Sequence, residues 1–290
     1  MSTLALAAPR RSSGVPHGLL ILPPLLLVLA LFAYPLYLIG VEAFTQDGAV
    51  SASRLVEVVR SAFFLRALGN TIEIALGATA GCLLIGFTLA TIFSFVPFPG
   101  SRVVARLIDT YIALPTFLIT LAFTFLYGSA GILNTTLVDL FRLDHAPLDF
   151  LYTGWGVVLA EMTVYSPFVM RPVMAAFSLL DRSQLEVASS LGGRPGYVLR
   201  RVIMPAAIPA LLAGGSLCLL LTVNEFGIVL FIGAKGVVTL PLLIYDKAIQ
   251  EFDYPTACVI ALINIVLSLG LFAAYRLVVS NLGAGRARLV

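Results

Sequence analysis

An all-α integral membrane protein of six transmembrane helices, with a cytoplasmic helical hairpin, follows from three observations. The residues are 60% hydrophobic and 11% charged, with a mean hydropathy of +1.02, a balance that no water-soluble domain of this length carries. Apolar runs long enough to cross roughly 30 Å of hydrocarbon, about 20 residues each, recur six times. Between the fourth and fifth runs lies a polar, basic stretch, 181–205, far longer than a turn requires.

The elements are expected in the following order. Residues 1–17 are small and polar with Arg10 and Arg11, and read as a disordered tail. The run at 18–41 is too long for the apolar region of a secretory signal and lacks a small-x-small cleavage site, so it is an uncleaved first span. With its outer loop it makes a segment of residues 18–64. A core of five further spans covers 65–280, and a short tail covers 281–290. The second span, 69–95, opens near Asn70-Thr71 and carries the small-residue face Gly77-x-x-x-Gly81. The third is 106–127. The fourth, 154–178, contains Pro167, Arg171 and Pro172, which membrane helices tolerate, and Arg171 is expected to snorkel to the cytoplasmic headgroups. The fifth, 206–233, carries Ala210-x-x-x-Gly214, and the sixth is 256–280. Before the sixth, residues 239–255 mix apolar and charged side chains, suiting a gate or docking surface.

Charge sets the orientation, because arginine and lysine concentrate on the cytoplasmic side. With both termini inside, Arg10, Arg11, Arg102, Arg106, Arg182, Arg194, Arg200, Arg201, Arg276, Arg286 and Arg288 lie inside. The outer loops hold Arg54, Arg60, Arg66, Arg142, Lys235 and Lys247 beside nine acids. Spread along bilayer edges, these arginines make no nucleic-acid patch. Cys82, Cys218 and Cys258 all fall in or beside spans, with no disulfide or metal spacing. His17 and His145 are the two histidines, too few for an H-E-x-x-H site, and no G-x-x-x-x-G-K-[ST] loop or G-x-S-x-G elbow occurs. The chain is expected to be no enzyme and to need no cofactor.

The stretch 181–205 reads as two short helices. Ser183-Gln-Leu-Glu186 fits a capping box, Gly192-Gly193 breaks the helix where φ > 0 is cheap, and Pro195 suits the first turn of the next. Leu185, Val187, Leu191, Tyr197 and Val198 would give it a partly apolar face. Taken alone, the hairpin could be an interfacial connector, with Glu186 as a cap and Arg200 and Arg201 on lipid headgroups.

The spacing Glu186-x-Ala188-x-x-x-Gly192, nine residues, then Val202-x-Met204-Pro205 resembles the EAA loop of ABC importer membrane subunits. Val187, Val202 and Met204 replace the usual alanine, isoleucine and leucine. Longer runs at 98–131, 213–236 and 258–272 resemble the membrane subunits of 2-aminoethylphosphonate importers. The resemblance implies a type I importer fold in a bacterial inner membrane, with Glu186, Ala188 and Gly192 docking on a cytoplasmic ABC ATPase and Pro205 opening the next span. Arg200 and Arg201 are added to that coupling set on position alone. The implied partners are two ATPase copies, where ATP is hydrolysed, a second permease subunit, identical or homologous, and a periplasmic binding protein.

Acids within spans cost free energy and default to functional candidates. Glu73, Glu161 and the pair Asn224-Glu225 all fall in the outer third, where they could form an acidic vestibule for a cationic group, or hydrogen-bond between helices. A second reading of the whole chain, an autonomous channel or ion-coupled carrier, would bind its coupling ion at these acids. The absence of a clear internal repeat disfavours it.

Overall fold

In the computed structural model, residues 17–46 and 48–287 are described; the expected tail at 1–16 and the end of the C-terminal tail, 288–290, lie outside the described residues. Helix α1 (His17–Phe44) is followed by a small hairpin of β1 (Thr45–Gln46) and β2 (Ala49–Val50), then by α2 (Ser53–Arg60). The long α3 (Ala62–Phe95) leads to α4 (Ser101–Ile112), α5 (Thr116–Tyr127) and α6 (Ile132–Phe141). After α7 (Gly154–Ser178) come α8 (Arg182–Ser190), α9 (Pro195–Val198), a π-helical turn at Leu199–Ile203 and α10 (Met204–Val223). The chain ends with α11 (Gly227–Ile232), α12 (Leu240–Tyr245), a second π turn at Asp246–Gln250 and α13 (Tyr254–Ala287).

The centre is a three-helix core of α3, α7 and α10. Val157, Val169 and Val173 of α7 have no exposed surface, nor do Ala78 and Cys82 of α3 or Ala207 and Cys218 of α10. Close approach is possible because glycine faces α7 on both sides. A Cβ at Gly86 would lie 2.7 Å from Val169 Cβ, and one at Gly214 would lie 2.9 Å from Val169 Cα. A second apolar cluster joins Phe64 of α3 to Leu240 and Leu243 of α12 and Val259 and Ile260 of α13. Helix α1 lies along α13 and keeps residues 21–37 exposed, as a lipid-facing helix must.

Among the described residues, five helices or helix pairs are long and apolar enough to cross a membrane: Ile21–Phe44, Ala62–Phe95, Thr116–Phe141, Pro195–Val223 and Tyr254–Val278. Two expectations change. The third span is not a helix over 106–127: the chain breaks at Ala113–Pro115, because Pro115 has no amide to donate, and the crossing segment shifts to 116–141. The amphipathic α4 before it stays largely exposed. The expected fourth span is α7, 25 residues long, but Glu161, Arg171 and two prolines keep it out of the apolar set, and it is buried among its neighbours instead. Arg171 has a protein partner. Its guanidinium pairs with the Asp109 carboxylate and donates to the Ala105 carbonyl at 3.1 Å, tying α7 to α4.

Candidate functional site

The polar stretch folds as two helices with a sharp reversal between them. Helix α8 ends in a Schellman motif: Gly193 N–H donates to the Ala188 carbonyl at 3.0 Å, and Gly192 between them has φ +79°. Gly193 is equally constrained, since a Cβ there would stand 2.5 Å from the Ala188 oxygen. Ala188 thus supplies the carbonyl that closes the turn. The start of α8 differs from the expected capping box. Asp181, not Ser183, is the cap: its carboxylate accepts from the Ser183 amide at 2.9 Å and its carbonyl from Gln184 N–H at 3.1 Å. This bond holds the exposed Asp181 carboxyl below the usual carboxylate range. Relieved of capping, the exposed Glu186 stands at the edge of a groove of about 830 Å³ walled by Phe93, Phe95, Met174 and Phe177.

Beyond the reversal, Pro195 takes the first helical position as expected. Arg200 and Arg201 are exposed on the π turn, with the Arg201 guanidinium 6.0 Å from the Tyr197 ring centre. Pro205 explains that turn: its ring would meet the Arg201 carbonyl in a regular α-helix, and a wider turn makes room. Met204 N–H accordingly donates five residues back, to Leu199. The expected apolar face divides. Val187, Leu191 and Tyr197 are exposed, whereas Leu185 and Val198 turn in against the core.

The polar residues of the spans fall into three places. Glu161 and Glu225, on α7 and just after α10, are both buried, and Tyr165 lies one helical turn from Glu161. The Tyr165 hydroxyl donates to Glu225 Oε2, while Glu225 Oε1 accepts from Ile228 N–H at 2.8 Å and so seats the start of α11. Glu161 Oε2 is buried without a hydrogen-bond partner. Around them Cys82 Sγ donates to the Glu161 and Met162 carbonyls and Cys218 Sγ to Tyr165. Asn224, though adjacent in sequence to Glu225, points elsewhere: its amide donates to Leu220 and Ser268 and its oxygen accepts from Asn264, bracing α10 on α13. Glu73 joins neither group. It is exposed in a separate groove of about 330 Å³ with Asn70, Trp155 and Val158.

Sequence reasoning missed Tyr165, Asn264, Ser268 and Asp181. Tyr165 lies four residues after Glu161, and Asn264 and Ser268 are four apart in the last span, so helical spacing from an intramembrane polar residue would have found them.

Residues 82–283 match the sequence profile of the family described as binding-protein-dependent transport system inner membrane components. Over 264 residues the chain is 60% identical to a Salmonella typhimurium permease protein, PhnU, provisionally named for a 2-aminoethylphosphonate transport system, with 91% of this chain and 92% of that one covered. It is 32% identical over 202 residues to the sulfate transport system permease protein CysT of the same organism, covering 68% and 70%. Among solved structures, a bacterial ABC transporter involved in import of the acidic polysaccharide alginate shares the fold with a TM-score of 0.79 at 16% identity, over 91% of this chain and 95% of that one. The MetNI methionine ABC transporter gives 0.56 at 16% identity, covering 75% and 94%.

Proposed function

The chain belongs to the family of binding-protein-dependent transport system inner membrane components, a multi-pass permease subunit of an ABC importer, and from that premise we propose that its cargo is 2-aminoethylphosphonate. The observation that carries the cargo is the 60% identity to PhnU across nearly the full length of both chains, against 32% over two thirds of the chain for a sulfate permease. Family membership also sets aside the autonomous carrier or channel reading.

In this reading α7 crosses as the fourth of six spans, both termini face the cytoplasm of a bacterial inner membrane, and the hairpin within 181–205 meets an ABC ATPase. Two ATPase copies act beneath two permease subunits, and a periplasmic binding protein delivers the cargo. Glu186, Ala188 and Gly192 form the docking turn, Arg200 and Arg201 flank it, and Pro205 joins it to α10. The open turn at Gly192, where a side chain would meet nothing within 4 Å, supports a surface kept clear for another protein. Of the polar residues proposed for the substrate path, Glu73 faces an open groove. The hydrogen bonds of Glu225 and Asn224, and the burial of Glu161, support helix positioning beside that path.

Uptake of labelled 2-aminoethylphosphonate by cells lacking the gene tests the reading. Uptake lost on deletion, restored by the wild-type gene and not by Gly192→Trp, is the expected result. Unchanged uptake in the deletion strain, with no other route present, would remove the cargo while leaving the importer.

A further inference from the structure

We propose that the groove beside Glu73 and the adjoining groove beside Lys235 form one binding site for an aminoethyl-phosphoryl zwitterion, its ammonium on Glu73 and Trp155 and its phosphoryl oxygens on Lys235. The inference rests on the cargo and orientation proposed above.

Glu73 is an exposed carboxylate on a membrane-crossing helix, and among the described residues it makes no ion pair or hydrogen bond. Such a group normally faces a partner or a water-filled cavity. Here it faces a groove of about 330 Å³ that it shares with the polar Asn70, the apolar Ile74 and Val158, and the aromatic Trp155. A carboxylate against low-dielectric walls attracts a cation more strongly than one in water, and the face of an indole attracts an ammonium. Trp155 is 71% exposed, so its ring is available. The volume falls at the lower end of small-molecule pockets and suits a ligand of few heavy atoms.

The same groove is tied to a cation. Asn70 donates to the Gly236 and Val238 carbonyls at 3.4 and 3.0 Å and so fixes the 236–238 segment beside α3. One residue earlier, Lys235 N–H donates to the Tyr152 carbonyl at 3.3 Å, which holds that residue beside the start of α7. Its exposed ammonium makes no ion pair among the described residues and lines a second groove with Ser129 and Thr153. Gly154, which has no side chain, borders both grooves. Asp149 also lines the second groove, and its negative charge opposes an anion there.

An ammonium two carbons from a phosphoryl group describes 2-aminoethylphosphonate, and it also describes the headgroup of an ethanolamine phospholipid. The chain offers a direct probe, since Trp155 is its single tryptophan. The full-length permease would be placed in nanodiscs of phosphatidylglycerol and its emission followed while 2-aminoethylphosphonate is added. A saturable change is expected, weakened about tenfold by Glu73→Gln and by Lys235→Gln, strengthened by Asp149→Asn, and absent with ethylphosphonate, which lacks the amine. Wild-type emission in the unliganded variants shows that they are folded. A second arm replaces part of the lipid with phosphatidylethanolamine. A Glu73-dependent change there, with none from the free phosphonate, keeps the site and makes the lipid headgroup its occupant. No change in either arm, or one indifferent to Glu73, overturns the site. Uptake in cells separates the two readings: transport without a Trp155 response rejects the site alone, and a response without transport rejects the cargo alone.

Discussion

At Gly193 a single methyl group would sit 2.5 Å from the Ala188 oxygen, inside the hydrogen bond that closes α8. Gly192 is restricted for a different reason, its φ of +79°, where an L side chain costs about 1–2 kcal/mol. The EAA-like spacing singles out only Gly192. We expect Gly193→Ala to uncouple ATP hydrolysis from uptake at least as severely as Gly192→Ala, because its methyl would push apart the two residues whose hydrogen bond closes the turn; equal uptake per ATP in wild type and Gly193→Ala would contradict this. Asp181 supplies a pH dependence to the same hairpin. Its folded carboxyl is held low by the Ser183 amide, so the cap is fully present at neutral pH and is lost as pH falls through and below the ordinary carboxylate range. Hydrogen exchange in α8, corrected for the intrinsic rate, is expected to rise in acid for the wild type and to stay flat for Asp181→Asn, which keeps an acceptor oxygen. Two good capping residues two positions apart, Asp181 and Ser183, cannot be ranked from sequence. The choice is made by where the turn at Leu179–Leu180 leaves α7.

Among the elements, α7 departs most from what composition suggests. Its polar residues make it the least apolar of the expected spans, yet it is the helix most enclosed by others, because Gly86 and Gly214 let α3 and α10 close on Val169 from two sides. Gly86→Ala places a methyl 2.7 Å from Val169 Cβ and 2.9 Å from the Ser166 carbonyl, neither of which can swing aside. Overpacking of this kind costs about 1–3 kcal/mol, and thermal unfolding of the purified protein is expected at a visibly lower temperature. Gly77→Ala, where the nearest contact is an ordinary 3.6 Å to Val158, serves as the tolerated control. Helix existence was readable from apolar run length at 18–41, 69–95 and 256–280, because lipid demands it of any crossing segment. The third span misled because 106–127 is apolar on average, while its continuity depends on Pro115. Arg171 misled because its partner, Asp109, is sixty-two residues away in sequence.

For the molecule as a whole, positive charge predicts that the hairpin and the 142–153 loop lie on opposite sides of the membrane. Arg200→Cys and Asp144→Cys, both exposed positions, test it with a membrane-impermeant maleimide on intact cells: Asp144→Cys should label at once and Arg200→Cys only after permeabilisation. The native thiols Cys82 and Cys218 are buried, and the half-buried Cys258 is replaced by serine in the test background. Of the candidate sites, the coupling spacing was legible because it is local, one turn and its flanks. The acids were legible as positions but not as groups. Glu225 is held by Tyr165, Glu161 is buried with Oε2 unpartnered, Asn224 braces the last helix, and Glu73 opens to a different groove, distinctions made by helix rotation that a linear reading leaves open.

The two arms of the hairpin are attached to the core in unequal ways. From Pro195 through the π turn to Val223 the backbone stays helical for 29 residues, roughly 43 Å at helical rise, and it stops at the residues that hold Glu225 against Tyr165. The other arm reaches α7 through a non-helical turn at Leu179–Asp181. One side behaves as a stiff pushrod and the other as a loose tether. If the turn at Gly192 is the docking point proposed above, a stroke applied there would be delivered along α10 to its far end, while α7 would be left free to lag behind it.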